Sequence, residues 1–273
     1  KREVETELPE RVESIRFVSM TTRQREMYEE HGSQVAQLVA RANRRHLTKR
    51  EQDKLMRELA MMRMSCDAAY ILDRTDTVSP KIDELESVLE DALSEPGNKI
   101  VVFSEWVRML ELVKNLCGKL KTGYAWHTGS VPQRRRRTEI NRFKDDPACR
   151  VFLSSDSGGV GLNLQNACVV VNCDLPWNPA RLEQRIARVW RKHQHRTVEV
   201  VNLVAEQSIE HRMLDTLTHK QSLADGVLDR IGDLSAVTLK SGKQALYERL
   251  KQVVHSPSRS EERRVGKECT LRC

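Results

Sequence analysis

Between residues 99 and 204 the chain sets five short apolar runs apart by helical pattern: Lys99 to Ser104, Gly123 to His127, Arg150 to Ser154, Cys168 to Cys173 and Val198 to Val204. Strands five to seven residues long, alternating with helices at this spacing, can bury themselves in few ways. The solution they favour is an α/β fold, a parallel sheet with right-handed crossovers and helices on both faces. In such a sheet the strand ends share one edge, and the loops leaving the carboxyl ends are where a ligand is held.

The first hundred residues read differently. Partial alternation at Val12, Ile15, Phe17 and Val18 predicts one strand, and the next fifty residues predict helix. Helices are expected from about Thr22 to Arg44, with Thr22 as N-cap, and from Thr48 to Leu72. Apolar positions at Leu55, Leu59, Met62 and Cys66 fall on one face of the second. The methionines at 56, 61, 62 and 64 are ordinary core filler before they are a partner surface. After the break at Thr75 to Pro80, SPKIDELESVLEDAL predicts a helix capped by Ser79 with Pro80 at its first position, ended by Pro96 and Gly97.

Composition narrows the function classes. With 39% hydrophobic and 31% charged residues the chain is of globular type, and no run of eighteen apolar residues offers a membrane span. Seven cysteines, an odd number with no CxxC, suggest neither a disulfide framework nor a zinc site, so free thiols in a cytoplasmic setting are expected. His193 and His195 lack a nearby third ligand, and no metal site is predicted. A net charge of +7 and a pI near 9.1 suit an acidic partner such as nucleic acid without demonstrating one.

Two stretches carry chemistry. SSDSGGVGLNL, Ser154 to Leu164, follows an apolar strand, and its glycines would let backbone N–H groups approach a ligand. Taken alone, such a loop is more often a tight turn. QRIARVWRKHQ, Gln184 to Gln194, spaces Gln184, Arg188 and Arg191 by four and three, which places them on one face of a helix. Guanidinium forks match phosphate oxygens. An isolated RxxR is more often a solvated basic face.

In this order the two stretches resemble motifs V and VI of the superfamily 2 helicases in the form of Swi/Snf-type DNA translocases. The resemblance rests on Ser155, Gly158, Gly159, Val160, Gly161, Leu162, Asn163 and Leu164, then on Asp174, Trp177, Asn178, Pro179, Gln184, Arg188, Arg191 and Gln194. FSEWVRMLELV from Phe103, HTGSVPQRRRRTEINRF from His127 and the segment around Ile209, Glu210, Leu217, Lys220 and Leu223 are similar to further family patterns. Ser130 is expected to cap the helix that follows it, and Ser208 the next.

What the resemblance implies is a RecA-like lobe, the second of two, whose Arg188 and Arg191 act as arginine fingers on ATP with Gln184 beside them. Gly159, Gly161 and Asp174 would serve the nucleotide, and Ser104, Ser130, Ser155, Arg137 and Trp177 the DNA. ATP and Mg2+ would be held mainly by a first RecA-like lobe, because no GxxxxGK[ST] and no DEAH-like motif occur here; the chain therefore looks like a fragment, inactive alone. The expected partner is double-stranded DNA, tracked without strand separation. The run Arg134 to Arg137 is a solvated face first and a phosphate contact second. A second lobe of an RNA helicase and a non-catalytic RecA-like binding module remain the alternatives.

Three positions depart from the family pattern: Asp156 stands where Lys or Arg is usual, His127 where Asp is, and His193 where Gly is. The form of the last motif is that of bacterial members, which implies a nucleoid-associated protein. The expected division is a linker strand with helical extension over 1–78, the RecA-like lobe over 79–235, a helix over 236–255 and a tail over 256–273. Within that tail RSEERRVGKEC, Arg259 to Cys269, resembles translated sequencing-adapter read-through and is set aside from the fold.

Overall fold

A computed structural model describes residues 8–156, 162–192 and 194–214. The expected helix at 236–255, the tail, and the matches at Leu217, Lys220 and Leu223 lie outside them. Six strands form one all-parallel sheet: β1 (Arg11–Val18), β2 (Ile100–Phe103), β3 (Gly123–His127), β4 (Cys149–Ser154), β5 (Val169–Asn172) and β6 (Val198–Ala205), in the spatial order β1-β6-β5-β2-β4-β3. Every strand foreseen from the apolar runs is present. The central strands β2 and β5 are buried along their whole length, which is why they read as continuous apolar runs without polar alternation.

The period of two then sorts their side chains between two cores. Ile100, Val102, Val151, Leu153, Val169 and Val171 face one side. There they meet Leu85 and Leu89 of the helix Pro80–Ser94 and Met109, Leu110 and Val113 of the helix Val107–Lys119. Val101, Phe103, Phe152, Val170 and Val200 face the other, against Phe143 of the helix Gln133–Asp145 and Ile186 of the helix Pro179–Ile186. In chain order the helices are α1 (Thr22–Arg44), α2 (Lys49–Asp67), the single turn α3 (Tyr70–Asp73), α4 (Pro80–Ser94), α5 (Val107–Lys119), α6 (Gln133–Asp145) and α7 (Pro179–Ile186).

Local chemistry sets the helix ends. The start of α1 is a reciprocal capping box: the Gln24 N–H donates to Thr21 Oγ1 at 3.2 Å and the Thr21 N–H to Gln24 Oε1 at 3.1 Å. Thr21 is thus the cap, and Thr22, expected in that role, is the first helical residue. Thr48 and Glu51 repeat the device at α2, with bonds of 3.3 and 2.9 Å. Ser79 caps α4 ahead of Pro80, as the sequence indicated. Ser130 does not cap α6; Pro132 holds that position, and the Ser130 hydroxyl meets Thr128 Oγ1 at 3.0 Å. The Ser208 hydroxyl accepts from the Glu210 N–H at 3.1 Å, where a helix begins at 209.

A buried ion pair pins the approach to the sheet. Lys81 Nζ donates to Asp67 Oδ1 at 2.6 Å and to the Cys173 carbonyl at 2.7 Å, with both side chains at most 1% exposed. One lysine thereby joins the end of α2, the start of α4 and the carboxyl end of β5.

The described residues divide into two compact units. Those within 8–27 and 64–206 form one, which contains the sheet, β1 included; those within 28–63 and 207–214 form the other. In the second unit α1 and α2 are cross-linked by His31 Nδ1 with Glu58 at 2.8 Å, Lys54 with Gln34 at 2.8 Å and Arg41 with Glu51 at 2.8 Å.

Candidate functional site

Because all six strands run the same way, the ends of β2, β4 and β5 open on one edge, where the sheet unit carries a cavity of about 450 Å³. Phe103, Glu105, Ser155 and Asp156 come to it from the strand ends, and Arg181, Gln184, Arg185 and Arg188 from α7 and the turn beyond it. Its size is that of a small-ligand site. The distal parts of the glycine loop, Gly159 and Gly161 among them, lie outside the described residues.

The residue that organises this edge is Arg185, which sequence reasoning passed over. Its side chain is 3% exposed. Nε and Nη2 donate to the two Asp156 carboxylate oxygens at 2.6 and 3.0 Å, Nη2 also to Asp174 Oδ1 at 3.0 Å, and Nη1 to the Asp174 carbonyl at 2.8 Å. Burial opposes its charge, but Asp174 and Asp156 outweigh burial and raise its pKa further. This accounts for the departure at Asp156: a carboxylate stands there because a buried guanidinium faces it. The only signal available beforehand was that departure, since Arg185 itself lies between motif positions.

Asp174 is saturated as well. Its Oδ2 accepts from the Ser104 hydroxyl at 2.6 Å and from the Glu105 N–H at 2.8 Å, and both Asp174 and Ser104 are fully buried. In this lobe Asp174 is thus occupied by Arg185, Ser104 and the Glu105 N–H, and the Ser104 hydroxyl by Asp174. Both hold the β2 and β5 ends in register. Ser155 is 4% exposed, with its N–H on the His127 carbonyl at 3.1 Å, and lies at the cavity wall. Trp177 is partly buried in the segment before α7.

Gln184, Arg188 and Arg191 do not share one helix. Asn178 caps α7, accepting from the Ala180 N–H at 3.1 Å ahead of Pro179, but the helix ends at Ile186 with Ala187 as its C-cap. The Leu164 N–H donates to the Arg188 carbonyl at 2.9 Å, so the turn following the helix is stitched to the segment after the glycine loop. Gln184 and Arg188 line the cavity; Arg191 is exposed beyond it.

Among the described residues the Arg188 side chain has no hydrogen-bond or ion-pair partner. It is partly buried, and its pKa is lowered first by that burial and then by the Arg191 guanidinium nearby. A desolvated cation facing a second cation is unfavourable until an anion arrives. The residues thus fit phosphate oxygens. They do not by themselves fit a metal: Asp156 gives both oxygens to Arg185, and no group of three His, Cys, Asp or Glu among the described residues could hold one.

Basic side chains also flank the edge on α6, which leaves the carboxyl end of β3. Arg134, Arg135 and Arg137 are exposed, whereas Arg136 donates to the Val131 and Gly129 carbonyls at 2.7 Å each and shapes the turn. Among the described residues the side chains of Arg134, Arg135 and Arg137 have no partner. At the start of a helix they add to the positive end of its dipole.

Residues 80–193 match the model of the helicase conserved C-terminal domain. DNA repair and recombination protein RAD54-like of Drosophila pseudoobscura pseudoobscura is 36% identical over 154 residues, 56% of this chain and 20% of that protein. Its counterpart in Drosophila virilis is 36% identical over 160 residues, 58% of this chain and 20% of that protein. The chain thus spans about a fifth of the length of these curated relatives. The C-terminal domain of the Sulfolobus solfataricus SWI2/SNF2 ATPase superposes with a TM-score of 0.68 at 21% identity, covering 90% of this chain and 99% of that one. The same ATPase core in complex with dsDNA gives 0.69 at 23% identity, covering 94% and 53%. The fold is therefore the α/β RecA-like lobe foreseen from the sequence. Neither the flies nor the archaeon supports the expected bacterial source, which rests on the form of the last motif alone.

Proposed function

We propose that this chain, with a helicase conserved C-terminal domain over 80–193, is the second motor lobe of an ATP-driven double-stranded DNA translocase of the Swi/Snf type. The observation that carries the reading is Arg188: a partly buried guanidinium at the cavity rim with no partner among the described residues and a pKa lowered by burial and by Arg191. Such a group is poised for anionic oxygens supplied from outside the lobe. In this reading ATP and Mg2+ are bound mainly by a first lobe, and closure brings the γ-phosphate to Arg188 and Arg191. There the two charges offset what develops on the transferring phosphoryl group. In the same reading Gln184, which lines this cavity, orients the attacking water.

Duplex DNA is the partner that suits the rest of the edge. Arg134, Arg135 and Arg137 can meet phosphates without reading sequence, and a structural relative of this lobe is a core in complex with dsDNA.

The test is ATP hydrolysis by the full-length gene product, with and without duplex DNA, beside Arg188→Ala. Strong stimulation by duplex, reduced about a thousandfold in the variant, is expected. Stimulation by RNA in place of duplex would move the assignment to RNA helicases. Activity indifferent to both DNA and the substitution would overturn it in favour of a binding module.

A further inference from the structure

The segment 183–191 ends in a turn outside regular helix, yet it must present Arg188 and Arg191 in a fixed direction. What holds it comes from the other end of the chain. Arg11, the first residue of β1, donates from Nη1 and Nη2 to the two Glu183 carboxylate oxygens, at 2.8 Å each. The same guanidinium lies over the Trp190 ring, 5.2 Å from its centroid, and the Trp190 Nε1–H donates to the Pro9 carbonyl at 2.8 Å. Glu183 immediately precedes Gln184, and Trp190 immediately precedes Arg191. One side chain therefore grips the segment near both of its ends.

The grip has a fixed base. The Val198 N–H donates to the Glu10 carbonyl at 2.9 Å, and Arg11 pairs with Val198 in the register of β1 on β6. The Arg11 side chain is 11% exposed while Glu183 is 46% exposed, so only the guanidinium is screened from water; the direction of the contact comes from its geometry, because a planar fork on a carboxylate defines direction as well as distance.

We infer that Arg11 is a positioning residue: by clamping Glu183 and Trp190 together it pre-orients Gln184, Arg188 and Arg191 before any phosphate is bound. The inference rests on the proposed role of Arg188. It makes the residues around Pro9 a lever on the site, because displacing them pulls on Trp190 through its indole hydrogen bond. Pre-orientation is realised in the transition state rather than in ground-state binding, so its loss lowers kcat and leaves the KM for ATP in place.

The experiment compares Arg11→Gln, Glu183→Gln, the double variant and Arg188→Ala in the full-length protein, by DNA-stimulated ATP hydrolysis with kcat and KM separated. Each clamp variant is expected to lose about ten- to a hundredfold in kcat, the scale of a small misplacement of reacting groups, with KM unchanged. The double variant is expected to lose no more than Arg11→Gln alone, because that substitution already removes the Glu183 pair together with the contact to Trp190 and the ion pair with Glu13. Should Arg11→Gln not fold, Trp190→Phe keeps a ring under the guanidinium and deletes only the bond to Pro9; it is expected to lower kcat in the same sense. Unchanged kcat in clamp variants of a protein that Arg188→Ala disables would overturn the inference, as would single effects that multiply in the double variant. Indifference to Arg188→Ala would instead remove the functional reading on which the inference rests.

Discussion

Replacing Arg185 by Met keeps most of the side-chain volume and deletes the guanidinium, which isolates the electrostatic role of the residue. In the folded protein Arg185 neutralises two carboxylates, Asp156 with a side chain 19% exposed and Asp174 with none exposed. Without it Asp174 keeps the Ser104 hydroxyl and the Glu105 N–H on Oδ2, but Oδ1 and the Asp174 carbonyl lose the donors described here. Removing one partner from a buried pair costs about 3–5 kcal/mol, and the part due to Asp156 is discounted because water reaches it. Urea unfolding of the chain, followed by intrinsic fluorescence, should show a loss of about 3–4 kcal/mol. Asp156→Asn, which leaves Arg185 paired with Asp174, should lose only about 1 kcal/mol. Adding Asp174→Asn to Arg185→Met should recover part of the loss, since the buried charge that Arg185 offset is then gone. A cost for Arg185→Met no larger than that of Asp156→Asn would refute the reasoning, because it would mean that the pair is solvated.

Two further outcomes follow from charge placement. His127 is fully buried, its Nδ1 has no hydrogen-bond partner among the described residues, and burial, then Arg136, lowers its pKa below 6.5. Above that value both states are neutral at this position; below it the unfolded chain takes up a proton that the folded one refuses, so stability falls toward acid pH. His127→Asn should flatten the decline between pH 7 and 5 in urea midpoints, and identical slopes in both proteins would sink this account. For DNA, the double variant Arg134→Ala/Arg137→Ala of the full-length protein should reduce the slope of log affinity against log salt by about 2. Arg136→Ala should leave that slope unchanged, because its guanidinium is already bonded to two carbonyls.

How far the sequence carried depended on whether a feature was fixed locally. Apolar runs such as Ile100 to Phe103 specify strands because a parallel sheet buries them on both faces, and five were legible so; β1, largely exposed, was legible from its partial alternation. The caps at Ser79 and Ser208 were legible for the same reason. The cap at Thr21 was missed although Gln24, three residues on, completes its capping box. The end of α7 could not be read at all. QRIARVWR continues the helical spacing, and what stops it is a hydrogen bond from Leu164, 24 residues earlier, to the Arg188 carbonyl. The burial of Ser104 and Asp174 and the bond between them were not legible either, because a motif marks residues that build a site as well as those that touch its ligand.

Partnership separates the arginines of this edge where sequence spacing did not. Arg185, Arg11 and Arg136 are each spent on named acceptors, and each fixes a piece of backbone: the Asp156 loop, the 183–191 segment and the turn before α6. Arg181, Arg188 and Arg191, by contrast, have side chains without a hydrogen-bond or ion-pair partner among the described residues. Placing unpaired cations beside a cavity costs stability, and in Arg188 the cost is visible as a lowered pKa. A fold that spends three guanidiniums on building the edge and leaves others unsatisfied on it is organised to receive negative charge. The same sorting divides the four consecutive arginines of α6: Arg136 is bonded to two carbonyls, and the side chains of the other three have no partner among the described residues.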